Sequence, residues 1–180
     1  MEKRMSLAVS DKNRMDDLIL IQFQQLQLPE LNLLHSYLSI DEKHEVPTDA
    51  ILSFLEFRNP GMHITIPRIN KETRSIESVL YDEQVLLQKN SWGIPEPVGG
   101  TVVDPQLIDM VLVPLLAFDT NGYRVGYGKG FYDEYLSRCR EDVLKIGLSY
   151  FEAVDSITDT EQFDIPLNYT VTPLRIYEFG

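Results

Sequence analysis

Residues 110–140 read MVLVPLLAFDTNGYRVGYGKGFYDEYLSRCR, and this stretch decides the fold. It opens on an almost unbroken apolar run, 110–114, as expected of a parallel strand covered on both faces. It closes on 131–140, which reads as a helix. Between them sit Gly122, Gly126, Gly128 and Gly130, four of the chain's ten glycines. Strand, loop and helix in succession build a helix-flanked, mostly parallel sheet. In such sheets ligands bind beyond the carboxyl ends of the strands, and the glycine loop leaves just such an end.

The chemistry of the loop agrees with its position. Glycine lets backbone approach a ligand closely and adopt positive φ, which suits a loop wrapping a phosphate. Arg124 and Lys129 add a guanidinium fork and a mobile ammonium for oxyanions. The helix that follows turns its N-terminal amides back on the loop, and Asp133 in its first turn can hold a metal that accompanies phosphates. The spacing is not Walker A, which would need Gly at Tyr123 and Ser or Thr at Gly130. Nor is it G-x-G-x-x-G, since the third glycine arrives one residue early. A glycine cluster is also what a tight turn before a helix requires, so the accompanying cations, aromatics and Asp133 carry the phosphate reading.

Outward from this unit, strand and helix alternate. Ser10 can cap a helix whose apolar positions Met15, Leu18, Ile19, Phe23 and Leu26 recur at helical spacing, with Pro29 beyond its end. Residues 33–40 (LLHSYLSI) read as a buried strand. Thr48 and Asp49 cap a helix over 50–57, closed by Arg58-Asn59-Pro60-Gly61. Strands follow at 63–67 and 75–80. Residues 90–100 (NSWGIPEPVGG) form a loop around Trp92, read as a core or loop anchor, and further strands lie at 144–149 and 169–172. The class is α/β with a mostly parallel central sheet flanked by helices.

At 180 residues the chain is one domain with a substantial core. The formal charge of −12 argues against a nucleic-acid partner, which needs a basic face. Residues 121–140 stand apart, with Arg124, Lys129, Arg138 and Arg140 against Asp133 and Glu134. Such a positive well focuses a small anion; Arg138 and Arg140 are equally explained by a helix C-terminus. No apolar run is long enough to span a bilayer, and the N-terminus lacks the apolar core of a signal peptide. One cysteine, Cys139, allows no internal disulfide and fits a reducing compartment. The cytoplasm and a monomer are the default expectations. His35, His44 and His63 have no spacing that suggests a metal site.

The stretch 109–136 closely resembles the signature of 5-formyltetrahydrofolate cyclo-ligases, D-x-V-x-V-P-G-x-A-F-D followed by G-x-R-x-G-x-G-x-G-Y-Y-D-x-Y-L. Other pieces fall in the same order: 36–48 (SYLSIDEKHEVPT), Ile66-Pro67-Arg68, 92–97 (WGIPEP) and 163–167 (FDIPL). The resemblance implies a fold related to the sugar-phosphate isomerase and CoA-transferase architecture. It implies ATP-dependent closure of 5-formyltetrahydrofolate to 5,10-methenyltetrahydrofolate through phosphorylation of the formyl oxygen, with Mg²⁺. Carried onto this chain, Arg124, Val125, Gly126, Tyr127, Gly128, Lys129, Gly130, Phe131 and Tyr132 line ATP, with Arg124, Lys129 and Tyr132 closest to the chemistry. Tyr127 to Phe131 also border the folate, Glu45 grips it with Leu38 packed on the ring, and Asp133 and Asp164 face the metal.

Read without the resemblance, Glu45 is a surface carboxylate, Asp164 caps a turn, and Tyr132 and Tyr135 form the buried stripe of a helix. The chain departs from the pattern at Leu115 (usually Gly), Phe131 (usually Tyr) and Phe163 (usually His). The family's opening Lys-x-x-Leu-Arg, which contacts ATP phosphates, is not in the sequence given, and Lys3 and Arg4 do not have its spacing. The expectation is weaker ATP binding, by about 1.5–3 kcal/mol for one lost charged contact. Two other readings stay open: a folate or nucleotide binder without turnover, and a different activity on the same architecture.

Overall fold

A computed structural model describes residues 1–90 and 93–179; Trp92 lies outside them. In chain order the elements are α1 Glu2–Met5, α2 Val9–Phe23, β1 Leu33–His35, α3 Asp49–Arg58, β2 His63–Asn70, β3 Ser75–Leu80, β4 Leu86–Lys89, β5 Pro95–Val98 and β6 Val102–Val103. They continue with β7 Met110–Val113, β8 Ala117–Phe118, β9 Arg124–Val125, α4 Phe131–Arg138, β10 Leu144–Leu148, β11 Tyr169–Val171 and β12 Ile176–Glu178.

One eight-stranded sheet organises the molecule, in the order β12-β11-β10-β7-β1-β2-β3-β6. Its five central strands, β11, β10, β7, β1 and β2, run parallel. Outside them β12, β3 and β6 are antiparallel to their neighbours, with β12 and β6 at the edges. All four residues of β7 are fully buried, as a central parallel strand requires, each contributing about 1.5–3 kcal/mol of apolar burial before entropy is counted. Alternate side chains serve opposite faces. Leu34, Met110, Leu112 and Ile146 pack with Ile19 and Phe23 of α2 and Ile51 and Leu55 of α3. Val111 and Val113 pack with Tyr135 and Leu136 of α4 on the other face.

This arrangement creates a topological switch. The connection leaving β1 passes through α3 to β2 on one side, whereas that leaving β7 passes through α4 to β10 on the other. Because β1 and β7 are neighbours, their departing loops diverge and leave a crevice at their carboxyl ends, the usual ligand position in such sheets. At the opposite end Asp109 fixes the pair. Its carboxylate accepts hydrogen bonds from the Asn32 and Leu33 amides at 2.6 and 2.9 Å and meets Arg140 at 3.0 Å.

Several sequence expectations need local correction. Ser10 does not cap α2: the helix already starts at Val9, with Ala8 before it in extended conformation. Thr48 precedes α3 but donates to the Tyr37 carbonyl instead of capping. The strand at 33–40 ends at His35. Ser36 still donates to the Thr65 carbonyl, but its hydroxyl bonds the Tyr37 carbonyl and the chain leaves the sheet. Residues 90–100 are not simply a loop, since β5 pairs antiparallel with β4. The helix of 131–140 stops at Arg138, because Cys139 is extended. Arg140 therefore lies past the helix and pairs with Asp109 and Asp142. Among the described residues no helix is long and apolar enough to cross a membrane.

Candidate functional site

Two loops meet over the crevice. The one after β1 makes a short turn at Asp41–Lys43, places His44 at φ +49°, and then buries Glu45. Glu45 Oε2 accepts the Ile40 amide at 2.8 Å, which points the rest of the carboxylate toward the second loop. There Tyr127 donates its hydroxyl to Glu45 Oε1 at 2.5 Å. Burial, with Glu45 adding, raises the Tyr127 hydroxyl above the ordinary tyrosine range. Lys43 lies over the Tyr127 ring, its ammonium 4.0 Å from the ring centre, an attraction between cation and ring face.

The glycines of the second loop divide into two kinds. Gly122 belongs to the turn of the β8–β9 ribbon, which Asp119 holds by accepting the Asn121 and Tyr123 amides. Its φ is +86°, and a side chain there would strike the Phe179 ring at 2.8 Å. This glycine is structural. Gly128 and Gly130 also have positive φ, at +75° and +66°, but open space lies beside them and beside Gly126. Backbone left bare on its outer side is what a closely seated anion needs. Lys129 stands exposed between them, and Gly130 caps α4.

Arg124 is placed differently from Lys129. Its side chain is only 5% exposed, and its guanidinium donates to Asp133 Oδ1 at 2.8 Å and to the Ile165 carbonyl at 2.6 Å. Asp133 Oδ1 also accepts the Ile165 amide at 3.1 Å. Together they clamp the segment around Ile165 to the first turn of α4. Asp164 turns back on its own segment, with Oδ2 accepting the Glu161 amide at 2.8 Å. Toward a metal each carboxylate has one oxygen already engaged: Asp133 Oδ1 by a cation and an amide, Asp164 Oδ2 by a turn amide. Among the described residues no group of three or more His, Cys, Asp or Glu side chains could hold one.

Leu38 is half-buried after β1, and Val125 is exposed in β9. Phe131 packs into the α4 side of the core, and Tyr132 reaches both sides of the sheet. Leu115 fits in place of glycine because Gly147 faces it: a side chain on Gly147 would approach Leu115 to 2.5 Å. Phe163 is 78% exposed, so its exchange for His disturbs no packing.

The residue that sequence reasoning missed is Arg4. Set aside for its spacing, it is only 7% exposed. It donates to the Tyr127 hydroxyl at 2.7 Å and to the Leu115 carbonyl at 3.1 Å. The sequence offered only a Lys3-Arg4 pair near the N-terminus; Leu115 and Tyr127 lie more than a hundred residues away.

Behind the crevice His35, the last residue of β1, is fully buried, and burial pushes its pKa from 6.5 down to about 3. In the unfolded chain it binds a proton below about 6.5, whereas in the native state it stays neutral until about 3. Protons therefore favour unfolding between those values. Stability is expected to fall with acidification in that window by up to about 1.4 kcal/mol per pH unit. Urea denaturation at stepped pH measures this, and His35→Asn should flatten the slope; an unchanged acid limb would assign it to other groups.

Comparisons with known proteins point the same way. The family model described as 5-formyltetrahydrofolate cyclo-ligase matches residues 4–173. The 5-formyltetrahydrofolate cyclo-ligase of Mycoplasma pneumoniae is 27% identical over 172 residues, 93% of each chain. That of mouse is 36% identical over 102 residues, 53% of this chain and 49% of the mouse protein. The NMR structure of Aquifex aeolicus 5,10-methenyltetrahydrofolate synthetase superposes with a TM-score of 0.80 at 27% identity, covering 98% of this chain and 87% of that one. With the match spanning nearly the whole sequence, every sheet strand but β12 and both crevice loops included, the chain belongs to the 5-formyltetrahydrofolate cyclo-ligase family.

Proposed function

We propose that this protein closes 5-formyltetrahydrofolate to 5,10-methenyltetrahydrofolate, converting ATP to ADP and phosphate. The observation that carries the reading is the meeting of Glu45 and the glycine loop over the switch point, joined through Tyr127. One loop offers an acceptor for the hydrogen-bond donors of a pterin. The other offers bare backbone, Lys129 and a helix N-terminus for a triphosphate. A formyl oxygen is a poor leaving group, so the γ-phosphoryl group is first placed on it. Folate N10 then attacks the activated carbon and phosphate departs. Such a transfer asks the protein mainly for positioning and charge neutralisation.

In this reading Lys129 takes the phosphates, while the Arg124–Asp133 pair holds the loop in shape from behind. Mg²⁺ arrives as part of MgATP, the substrate, and no protein-held metal is invoked. Glu45 receives the pterin once Tyr127 yields its place on the carboxylate. Leu38 supplies apolar contact, and Tyr132 lies at the back of the crevice.

The test is turnover of 5-formyltetrahydrofolate with MgATP, followed by the absorbance of the methenyl product. Product that requires both ATP and Mg²⁺ establishes the activity; binding without product would make the protein a folate or nucleotide binder. Glu45→Gln, which keeps the shape but loses the charge, is expected to raise KM for the folate about 10–100-fold, as for a lost charged hydrogen bond. KM for ATP should stay near its starting value. An equal rise in both would remove Glu45 from the pterin site.

A further inference from the structure

Beneath the crevice, a chain of buried hydrogen bonds ends in an unmet requirement. Thr65 Oγ1 donates its single proton to the Leu34 carbonyl at 3.2 Å. Toward His35 Nδ1, 3.0 Å away, Thr65 can therefore only accept, which makes Nδ1 the protonated nitrogen. Ser78 Oγ stands 3.3 Å from the same nitrogen and 2.7 Å from the Tyr135 hydroxyl. The Tyr135 ring lies 4.5 Å from the imidazole, tilted by 34°. With its proton on Nδ1 and the ring neutral, His35 presents a bare lone pair at Nε2. Nε2 is buried and has no partner among the described residues.

A second buried atom has the opposite requirement. Tyr132 Oη is also without a partner among the described residues, and its ring centre lies 6.4 Å from that of His35. Its hydroxyl can donate where Nε2 can only accept. It stands on the site side, within the electrostatic reach of Glu45 and Arg124. Orphaned buried polar groups in native proteins are normally satisfied by ordered water.

We infer that His35 is a positioning residue for Tyr132, acting through one buried water that donates to Nε2 and accepts the Tyr132 O–H. The arrangement fixes the direction of the Tyr132 hydroxyl at the back of the crevice. Thr65 and Ser78 in turn fix the imidazole. The kinetic consequence rests on the cyclo-ligase reading; the hydrogen-bond arrangement does not.

Two measurements test it. The first is a double-mutant cycle on turnover with His35→Asn and Tyr132→Phe. Asparagine keeps a donor for Thr65 where Nδ1 stood but removes Nε2. Each variant should lower kcat about tenfold, the scale of one buried hydrogen bond, with KM for ATP little changed. The double variant should fall no further than either single one. Additive losses, or a loss confined to thermal stability, would make His35 a core residue only.

The second measurement uses ¹⁵N NMR of the histidines in the intact protein and needs neither turnover nor a His35 variant. Nε2 of His35 should be unprotonated at neutral pH, should show the shift of a hydrogen-bonded acceptor, and should move in Tyr132→Phe. A protonated Nε2, or one indifferent to Tyr132, would overturn the inference even in an active enzyme. An inactive protein with the expected signals would fail the functional reading and leave this one standing.

Discussion

Arg124→Ala is expected to lower the melting temperature by about 10 °C, the effect of about 3 kcal/mol in a domain of this size. The side chain is nearly enclosed and joins three things at once: the glycine loop that carries it, Asp133 in α4, and the carbonyl of Ile165. Its removal leaves the Asp133 carboxylate without its cation and the Ile165 carbonyl without its donor. Breaking one side of a buried pair costs about 3–5 kcal/mol; a quarter of the Asp133 side chain reaches solvent, which moves the figure to the lower end. Asp133→Asn should reproduce part of the loss, and the double variant should add little to Arg124→Ala. Differential scanning calorimetry reads both. A variant that melts like its parent but binds ATP poorly would identify Arg124 as a phosphate ligand instead of a clamp.

Lys129→Ala is expected to behave in the reverse manner. The residue is exposed, so the melting temperature should hardly change, while kcat/KM for MgATP should fall by about 10²–10³. That is the loss seen when one positioned donor to developing charge is removed. Lys129→Arg, which keeps the charge but changes its geometry, should recover only part of the rate. Steady-state kinetics with varied ATP decides it: unchanged kinetics would take Lys129 out of the phosphate site. On these expectations two cations five residues apart on one loop divide into a fastener and a phosphate contact. Burial and the partners of Arg124 set it apart.

That division was not legible in the sequence, although the loop itself was. The apolar run at Met110–Val113 and the strand at Ser75–Leu80 could be read directly, because each is bounded by turn or polar residues and patterned for its sheet position. The β4–β5 ribbon was hidden by Pro95 and Pro97, which lower strand propensity and are tolerated where a strand lies outside the main sheet. The C-terminal strand at Ile176–Glu178 is too short to show a period. In the site, Gly128 and Lys129 could be picked out because they stand in one local cluster. Arg4 and the His35 hydrogen-bond chain could not, since their partners come together only through sheet topology. Asp133 was read toward a metal from its place in the first turn after the glycine loop, and Asp164 from the resemblance; the hydrogen bonds that each makes appear only in three dimensions.

The contacts that close the crevice also impose an order on assembly. Arg4 bonds Tyr127 across 123 positions, and Glu45 does so across 82. During synthesis at about 5–20 residues per second, Glu45 emerges about 4–16 s before its partner. Through that interval the N-terminal segment holds an arginine without its Tyr127 acceptor, and α1 and the loop after β1 lack that anchor. Closing such long loops is entropically slow. A nascent chain stalled before residue 127 should therefore be cut by protease near its N-terminus, and protection there should arrive only when the glycine loop does.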